Sequence, residues 1–460
     1  MTTYSIIKKS EIEGAYRLDP EYYQPEYLKL LQGIKNEQHS TLEEFGCKIV
    51  SGPFGSSLKS EAYLETGVPF LRISDLEDFF INDENLTYIS EDDNNRLKQS
   101  QLKPFDLVLS KVGNTIGIVS SVPEDWHLCN ISENNIGIKF TNKEIKAEDK
   151  LFLLTFLNSK LGFLQIQRCI SGNAQPKINI SDIAKLSVVI PKKESVHLVN
   201  EFVLSAKLNT NNAKLFYKQA ESLLLKELGL ENFEKEIEKV LYNVVNFSEI
   251  DKFKRMDADY FQAKYEKISA VIRKNNGKCL GELVSLKKGF EPGSEAYQEE
   301  GKLFIRVSSL SKDGITDKDQ KYLSEKTYEE LKKNYQPKKG EILLTKDATP
   351  GIAYVLKEDL EGIVAGGVLR LKLKENIESE YLALCINCIL GQMQVERDAG
   401  GSVIAHWKPE QVKNILIPIL PKPIQQKISE LVQKSHEARK KAKELLEEAK
   451  HKVEELIENN

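Results

Sequence analysis

The sequence lacks the short motifs on which many enzymes depend. It has no G-x-x-x-x-G-K-[ST] phosphate loop, which argues against an ATP-driven motor of that class. It has no Pro-Pro dipeptide, so the Asn/Asp-Pro-Pro-aromatic motif of amino-methyltransferases is absent as well. Neither a G-x-S-x-G elbow nor an H-E-x-x-H helix occurs, and the 6 histidines are scattered. These absences favour a protein that binds its target without catalysing a reaction.

Long apolar runs and paired cysteines are also missing. No apolar stretch is long enough to cross a membrane, and the N-terminal segment MTTYSIIKKSEIEGAYRL lacks the apolar core of a signal peptide. We therefore expect a cytoplasmic protein with no membrane partner. Cys385 and Cys388 lie in an apolar segment without a second pair or a neighbouring histidine. This pattern favours buried helix cysteines over a zinc site or a redox pair, and no disulfide framework is expected.

The chain contains a long internal repeat, visible as short anchors that recur in the same order. The repeat is the length of a whole domain. It therefore predicts two similar domains that bind two similar but non-identical targets at a fixed separation. The paired anchors are Arg17–Tyr27 with Arg255–Tyr265, Gly67–Leu76 with Gly301–Leu310, Asp106–Lys111 with Glu341–Lys346, and Phe156–Gly162 with Cys385–Gly391.

Each copy ends in a segment with a three-four spacing of apolar residues, which predicts a heptad seam. A helix that covers its own domain is the alternative. Each helix would be about 35 residues and about 50 Å long, and both hold the same place in the repeat, so an antiparallel coiled coil is favoured. The seam residues are Val196, Val199, Val203, Ala206, Ala213, Tyr217, Ala220 and Leu224, then Ile424, Ile428, Leu431, Ser435, Ala438, Ala442, Leu445, Ala449 and Leu456.

The predicted fold class is α/β, with two repeated mixed α/β domains separated by the two long helices. The predicted boundaries are 1–190 for the first domain, 191–229 for the central helix, 230–421 for the second domain and 422–460 for the C-terminal helix. Within the domains, β-rich stretches are expected at 68–140 and 302–374, and helical segments at 150–168 and 378–397.

Three polar, glycine-punctuated loops in each copy are candidate binding loops. Backbone amides of glycine and serine beside a lysine suit phosphate, while Asn or Gln can pair with adenine and Arg or Lys with guanine. Plain turns would have the same composition. The loops are Ser51–Lys59, Lys111–Gly117 and Ser171–Asn179 in the first copy, and Lys287–Ser294, Lys346–Gly351 and Gly400–Lys408 in the second.

At these residues the sequence resembles the specificity subunit of type I restriction-modification systems. The resemblance lies in the doubled order of a G-x-P-F-L-R segment, a D-L-V-L-S-K strand with its glycine turn, an S-G-x-x-Q-P loop, and I-P before a long helix. It covers nearly the whole chain. The second copy keeps the glycine, aromatic residue and serine of the first G-P-F-G-S loop in a different order, and has Gly-Gly-Ser-Val-Ile where the first copy has Gly-Asn-Ala-Gln-Pro.

The resemblance implies a non-catalytic subunit with two target-recognition domains that read the halves of a bipartite site in double-stranded DNA, across a gap set by the helices. It implies no cofactor on this chain. Two methyltransferase subunits would carry S-adenosylmethionine and methylate adenine, and restriction-translocase subunits would use ATP and magnesium.

Particular residues are candidates for these contacts. Arg72 and Arg306 recur at one repeat position, so we expect them to position phosphate or the fold rather than specify a base. Apolar positions outside the helix seam are candidates for docking the methyltransferase, namely Leu198, Phe202, Leu208, Phe216 and Leu225. The candidates for DNA binding are Lys59, Arg72, Lys111, Asn114, Thr115, Asn173, Gln175 and Lys177 in the first domain, and Lys288, Arg306, Lys346, Thr349, Ser402, His406 and Lys408 in the second.

Two alternatives stay open, and the net charge of -4, which is unusual for a protein that binds duplex DNA, suits the first of them. A coiled-coil adaptor whose repeated domains bind protein would fail to bind any duplex even with the methyltransferase present. A stand-alone nuclease with a diverged carboxylate-lysine site would cleave DNA with magnesium as the purified chain.

Overall fold

The computed structural model describes residues 4–10, 12, 17–53, 55, 58–172, 176–231, 233, 243–316, 319–399 and 406–458. These residues form two compact units. The first unit lies within Met1–Asn209 and Lys441–Asn460, and the second lies within Thr210–Lys440. Both units combine sheets with helices, so the predicted mixed α/β class is confirmed.

The first unit is built on a five-stranded sheet in the order β2-β9-β6-β7-β4 and a three-stranded sheet in the order β5-β3-β8. The pair β1-β10 is separate and antiparallel. Its strands are β1 (His39–Thr41), β2 (Cys47–Ser51), β3 (Val68–Leu71), β4 (Phe79–Phe80), β5 (Thr87–Ile89), β6 (Leu107–Ser110), β7 (Val119–Ser121), β8 (Asn130–Ile131), β9 (Asn135–Phe140) and β10 (Ser187–Val189).

The second unit repeats this plan, with a four-stranded sheet β12-β20-β17-β18 and a three-stranded sheet β16-β13-β19. The pairs β11-β21 and β14-β15 complete it. Its strands are β11 (Lys278–Cys279), β12 (Val284–Lys288), β13 (Lys302–Ile305), β14 (Leu310–Ser311), β15 (Gly314–Ile315), β16 (Lys321–Leu323), β17 (Ile342–Thr345), β18 (Ala353–Val355), β19 (Gly362–Val364), β20 (Val368–Leu373) and β21 (Leu416–Ile417).

Fourteen α-helices are described in these residue ranges. In the first unit and the long helix that follows they are α1 (Pro25–Asn36), α2 (Glu91–Arg96), α3 (Ala147–Asn158), α4 (Lys160–Arg168), α5 (Ile180–Ala184) and α6 (Lys193–Leu228). The remainder are α7 (Phe247–Phe253), α8 (Ala263–Lys274), α9 (Leu280–Leu283), α10 (Glu325–Tyr335), α11 (Ser379–Asn387), α12 (Ile389–Ala399), α13 (Pro409–Lys413) and α14 (Lys422–Glu458).

The same side-chain hydrogen bonds join helices to strands in both units. Gln165 donates to the Ser187 carbonyl at 2.9 Å and accepts from the Ser187 amide at 2.9 Å. Gln394 does the same with Leu416, at 3.0 and 2.8 Å. Because both glutamines are buried, each pair satisfies groups that would be costly to leave without partners. The repeat seen in the sequence is therefore a repeat of structure as well.

A close helix-helix contact recurs at a glycine in each unit. Gly162 in α4 lies against the end of α3, so a Cβ there would be 2.4 Å from the Cα of Leu157. Gly391 in α12 lies against the end of α11 in the same way, and its Cβ would be 2.2 Å from the Ile386 carbonyl oxygen. Only a residue without a side chain fits between these backbones.

The long helices α6 and α14 each contribute to both units. In the first unit Val199 and Val203 of α6 share a core with Ala449 and Val453 of α14. In the second unit the Ser435 hydroxyl donates to the Ala213 carbonyl at 2.7 Å, a contact that requires small residues on both helices. The predicted seam of α6 is buried from Val196 to Leu224 except for half-buried Tyr217.

The seam of α14 differs in phase from the prediction. Ile428, Ser435, Ala442 and Ala449 are buried as expected. The second stripe, however, runs through Val432 and Val453, while the predicted Leu431, Ala438, Leu445 and Leu456 are only half-buried. Adjacent apolar residues such as Leu431 and Val432 made either phase compatible with the sequence.

The two units differ at one buried pair of equivalent positions. In the second, Glu341 accepts from Arg370 through both carboxylate oxygens, at 2.9 and 3.0 Å, and both side chains are buried. In the first, Asp106 takes the place of Glu341 and Gly137 that of Arg370. Asp106 accepts instead from the backbone amides of Lys103 and Phe140. Burial raises the pKa of Asp106.

Candidate nucleic-acid interface

The second and third of the predicted loops of the first unit are joined at one edge of its five-stranded sheet. The first predicted loop begins at the same edge. Lys111 follows β6, and its ammonium donates to the Ser51 hydroxyl and to the Glu133 carbonyl, both at 3.3 Å. Lys177 closes the third loop by exchanging backbone hydrogen bonds with Ser171 at 2.9 and 3.0 Å. The Ile178 amide then donates to the Lys111 carbonyl. The structure thus brings Lys111 and Lys177 together, although 66 positions separate them in the sequence (177 − 111).

Arg72 lines a cleft of about 360 Å³ beside the first loop. The cleft is also lined by the aromatic rings of Tyr63 and Phe70, and by Gly55, whose amide donates to the Glu133 carboxylate at 2.5 Å. The Arg72 guanidinium is tied to Asp75 at 3.0 Å and to the Asn85 carbonyl at 2.9 Å. Its orientation is therefore set by the fold, with a side chain that is 37% exposed.

Arg306 is held at the same repeat position in the second unit, with a different carboxylate as its partner. It donates to the carbonyl of Asp319 at 2.5 Å and pairs with the Asp319 carboxylate at 2.8 Å. Both arginines, which occupy the same repeat position, thus donate to a backbone carbonyl of their own unit.

The second unit places an acidic residue among the predicted basic ones. Lys346 follows β17, and its ammonium pairs with the carboxylate of the next residue, Asp347. His406 approaches the same carboxylate with an Nδ1–Oδ1 distance of 2.9 Å. Although burial raises the pKa of Asp347, the hydrogen bonds from Lys346 and His406 outweigh it and lower the pKa. Lys346 is therefore partly neutralised, in contrast to Lys111.

The remaining candidates are spread over the rims of the two units. Lys59, Lys288, Thr349 and Lys408 are exposed, while the Thr115 hydroxyl is 2.9 Å from that of Ser110. Asn173, Gln175 and Ser402 lie outside the described residues, and so does the side chain of Asn114.

The predicted docking residues of α6 differ in exposure. Leu198 and Leu208 are 38% and 61% exposed. Phe202 packs against the core of the first unit and Leu225 against that of the second, and Phe216 is half-buried. Two further exposed leucines, Leu204 and Leu215, were not among the predicted residues.

The sequence-based candidates also omitted the acidic neighbours Glu133 and Asp347. Asp347 directly follows a lysine predicted to bind DNA, so the sequence alone could have identified it as part of the site. Glu133 has no such signal, because it meets the first loop only through the pairing of β2 with β9.

Over the described parts of the chain, none of the helices has the length and apolar character needed to span a membrane. The same residues contain no group of three His, Cys, Asp or Glu side chains arranged to hold a metal ion. Cys385 and Cys388 are free and buried, as predicted.

Comparison with known proteins finds similar solved structures and one matching family model. No curated protein matches the sequence. Among solved structures, the chain is similar to the type I restriction-modification S subunit from M. genitalium, with 14% identity over 90% of this chain and 95% of that chain, and a TM-score of 0.41. It is also similar to the HsdS subunit from Thermoanaerobacter tengcongensis, with 13% identity over 89% of this chain and 96% of that chain, and a TM-score of 0.28.

Because these TM-scores are low, the assignment depends on sequence. The family model described as "Type I restriction modification DNA specificity domain" matches residues 273–450. The match covers most of the second copy of the repeat and much of α14. Through these residues the chain is similar to type I restriction modification DNA specificity domains.

Proposed function

We propose that this chain is the DNA-reading subunit of a type I restriction-modification complex, in which each repeated domain binds one half of a bipartite target. The observation that carries the proposal is the specificity-domain match in the second copy. The first copy supports it, because it has the same two-sheet plan and the same helix-to-strand hydrogen bonds.

In this proposal the edge formed by Lys111 and Lys177 faces the DNA backbone of the first half-site. Among the described residues, no carboxylate lies within ion-pair distance of the Lys111 ammonium, which donates only to neutral oxygens. A phosphate approaching this edge would add a charged acceptor without displacing an existing ion pair. Charge-assisted hydrogen bonds of this kind are stronger than neutral ones.

The second domain would use a different set of contacts. Because Asp347 partly neutralises Lys346, we assign its phosphate contacts mainly to exposed Lys288 and Lys408. The Asp347 carboxylate is an acceptor, and in the major groove cytosine N4 and adenine N6 offer donors. The two domains would then differ in the bases they prefer.

The chain itself would carry no catalysis. We assign S-adenosylmethionine binding and adenine methylation to partner methyltransferase subunits, and ATP-driven translocation and cleavage to restriction subunits.

Mapping of methylated adenines tests the proposal directly. Cells would carry the partner methyltransferase with and without this chain, and their genomes would be sequenced by a single-molecule method. We expect a bipartite motif only when the chain is present. An unchanged pattern of methylation, with the complex shown to assemble, would instead support the protein-binding adaptor.

Neutralising the predicted phosphate-binding edge should weaken DNA binding of the assembled complex. We expect Lys111→Gln and Lys177→Gln each to lower affinity by about threefold to tenfold. Each should also reduce the slope of log K against log salt by about 0.9, the value for one lost phosphate contact. Titration of a labelled duplex at several salt concentrations measures both quantities.

Lys48→Gln is the matched control for this experiment. Lys48 is exposed and lies in β2, the strand whose last residue, Ser51, contacts Lys111. Its replacement should leave both affinity and salt slope unchanged. Equal losses in all three variants would show that general charge, rather than this edge, attracts DNA.

We also propose that exposed leucines of α6 bind a methyltransferase subunit. Leu208 is the sharpest test, because it is 61% exposed and its replacement leaves both cores intact. Leu208→Gln should weaken co-purification of the methyltransferase by about tenfold, as expected when a buried apolar side chain is lost from an interface. Asn211→Gln, at another exposed position of α6, should have no effect. Intact co-purification of the Leu208 variant would contradict this assignment.

A further inference from the structure

The N-terminal anchors of the repeat, Arg17–Tyr27 and Arg255–Tyr265, are among its best-matched segments, yet the proposed function gives them no role. In the first unit this anchor forms what we call a tyrosine sandwich, in which two arginine side chains lie over one tyrosine ring. The guanidinium carbons of Arg17 and Arg168 lie 4.6 and 3.6 Å from the ring centroid of Tyr22. In the second unit, Arg255 and Arg397 lie 4.6 and 5.3 Å from the ring centroid of Tyr260. Two copies of one unusual arrangement indicate a shared purpose.

Each sandwich is fixed by further hydrogen bonds. Arg17 donates through two nitrogens to the Asp19 carboxylate, at 2.8 and 2.6 Å, and Arg168 donates to the Tyr22 carbonyl at 2.9 Å. Arg255 binds Asp257 in the same two-pronged way, at 2.8 and 2.5 Å. Because planar guanidinium groups match carboxylates and stack on aromatic rings, arginine serves both contacts at once.

The sandwich of the first unit is attached to the root of the third loop. Arg17 donates to the Ile170 carbonyl at 2.9 Å and to the Cys169 carbonyl at 3.4 Å. These carbonyls follow the end of α4 and immediately precede Ser171. Arg17 therefore satisfies acceptors that a helix end leaves without partners, and fixes the direction in which the loop leaves the helix.

In the second unit the sandwich also contacts the end of the helix that precedes the third loop. Arg397 is in the last turn of α12, and its Nε lies 3.4 Å from the carboxylate of Asp398. The Asp398 carbonyl accepts from Gln411 of α13 at 3.1 Å. In both domains the described residues that precede the third loop are thus connected to the anchor segment, and in the second domain Gln411, after the loop, binds them as well.

We infer that each arginine-tyrosine-arginine sandwich is a positioning device for the third DNA-facing loop of its own domain. The inference rests on the proposed function, since it assumes that this loop reads DNA. It assigns Arg17, Tyr22 and Arg168 to the first half-site, and Arg255, Tyr260 and Arg397 to the second. None of these residues needs to touch a base; they orient the residues from which the loop begins.

The test is a methylation map of the complete complex carrying Arg17→Lys. Lysine keeps the charge but cannot bind Asp19, two carbonyls and a ring face together. We expect methylation at sites with one mismatch in the first half-site to rise about tenfold relative to the cognate site, the discrimination typical of one base pair. The second half-site should be read as before. Arg255→Lys should relax the second half-site alone.

Two further variants, a substitute and a control, are used to interpret this test. If Arg17→Lys does not accumulate, Tyr22→Leu removes the stacking surface while leaving the hydrogen bonds of Arg17, and the same relaxation is expected. Arg96→Lys is the control, because Arg96 pairs with Asp93 on the surface of the same unit, with a 61% exposed side chain. It should leave both half-sites unchanged.

A merely structural role would lower methylation at all sites equally and leave base preference intact, and that result would overturn the inference. No change in any variant would overturn it too. Failure of the proposed function is a separate outcome, because the unaltered chain would then produce no bipartite methylation.

Discussion

Gly391→Ala should lower the free energy of unfolding of the second unit by about 2–3 kcal/mol. The added methyl group would lie 2.2 Å from the Ile386 carbonyl oxygen and 2.5 Å from the Ile386 Cα. Both are backbone atoms of α11, so the contact can be relieved only by moving α12 away from α11. That movement would disturb the core that these helices share with the four-stranded sheet.

Urea unfolding followed by tryptophan fluorescence measures this loss. The chain has 2 tryptophans, and Trp407 is buried in the second unit, so a Trp126→Phe background reports that unit alone. Gly281→Ala is the control in the same unit. Its Cβ would meet mainly the side chain of Lys413, at 3.0 Å, and the change should stay below about 1 kcal/mol. Equal stability of the Gly391 and Gly281 variants would contradict the prediction.

The repeat extends the same expectation to the first unit. Gly162→Ala would place a methyl group 2.4 Å from both the Leu157 Cα and the Phe156 carbonyl oxygen. Hydrogen exchange resolved by peptide should show lost protection in the first unit for Gly162→Ala and in the second unit for Gly391→Ala.

Removal of the buried cation in the second unit should have a larger effect. Arg370→Met is expected to cost about 3–5 kcal/mol, because Glu341 would keep its charge in the interior without its partner. Among the described residues, the Glu341 carboxylate would retain only the amide of Lys338, at 3.0 Å, and the Asn334 carbonyl would lose the donor now 2.8 Å away. The same fluorescence measurement applies.

The double variant Glu341→Gln/Arg370→Met separates loss of the ion pair from loss of packing. Since neutral replacement of both partners leaves no unpaired charge, most of the stability should return. A double variant as unstable as Arg370→Met would show that the shape of the arginine side chain, and not its charge, stabilises the core.

The sequence predicted the large elements because their signals are local. The stretch between Pro191 and Gly229 contains no glycine or proline and has a regular apolar stripe, and α6 occupies Lys193–Leu228. The helical segments expected at 150–168 and 378–397 are present, but each is divided into two helices, at Ser159 and at Cys388. Neither residue is a strong helix breaker, so the division was not visible in the sequence.

The candidate site was harder to derive because its contacts are long-range. Lysines 111 and 177 were recognised separately, in two loops, but nothing in the spacing joins them. Their proximity follows from the pairing of Val112 with Lys177, which depends on how α4 and the loop after it return to the sheet. The arginines Arg168 and Arg397 were missed for the same reason, although each lies in the last turn of the helix that contains the repeated Leu-Gly pair.

The exchange of Asp106 and Gly137 for Glu341 and Arg370 limits how the two halves of the gene can evolve. A Cβ on Gly137 would already lie 2.8 Å from the Leu102 side chain and 3.0 Å from that of Val50. An arginine there would have to displace both side chains, and a glutamate at position 106 without it would lack the cationic partner that Glu341 has. We therefore expect single substitutions that make one copy resemble the other at this position to destabilise the domain. Exchange of a whole segment would keep each set of partners together, so new sequence should enter either half as a cassette.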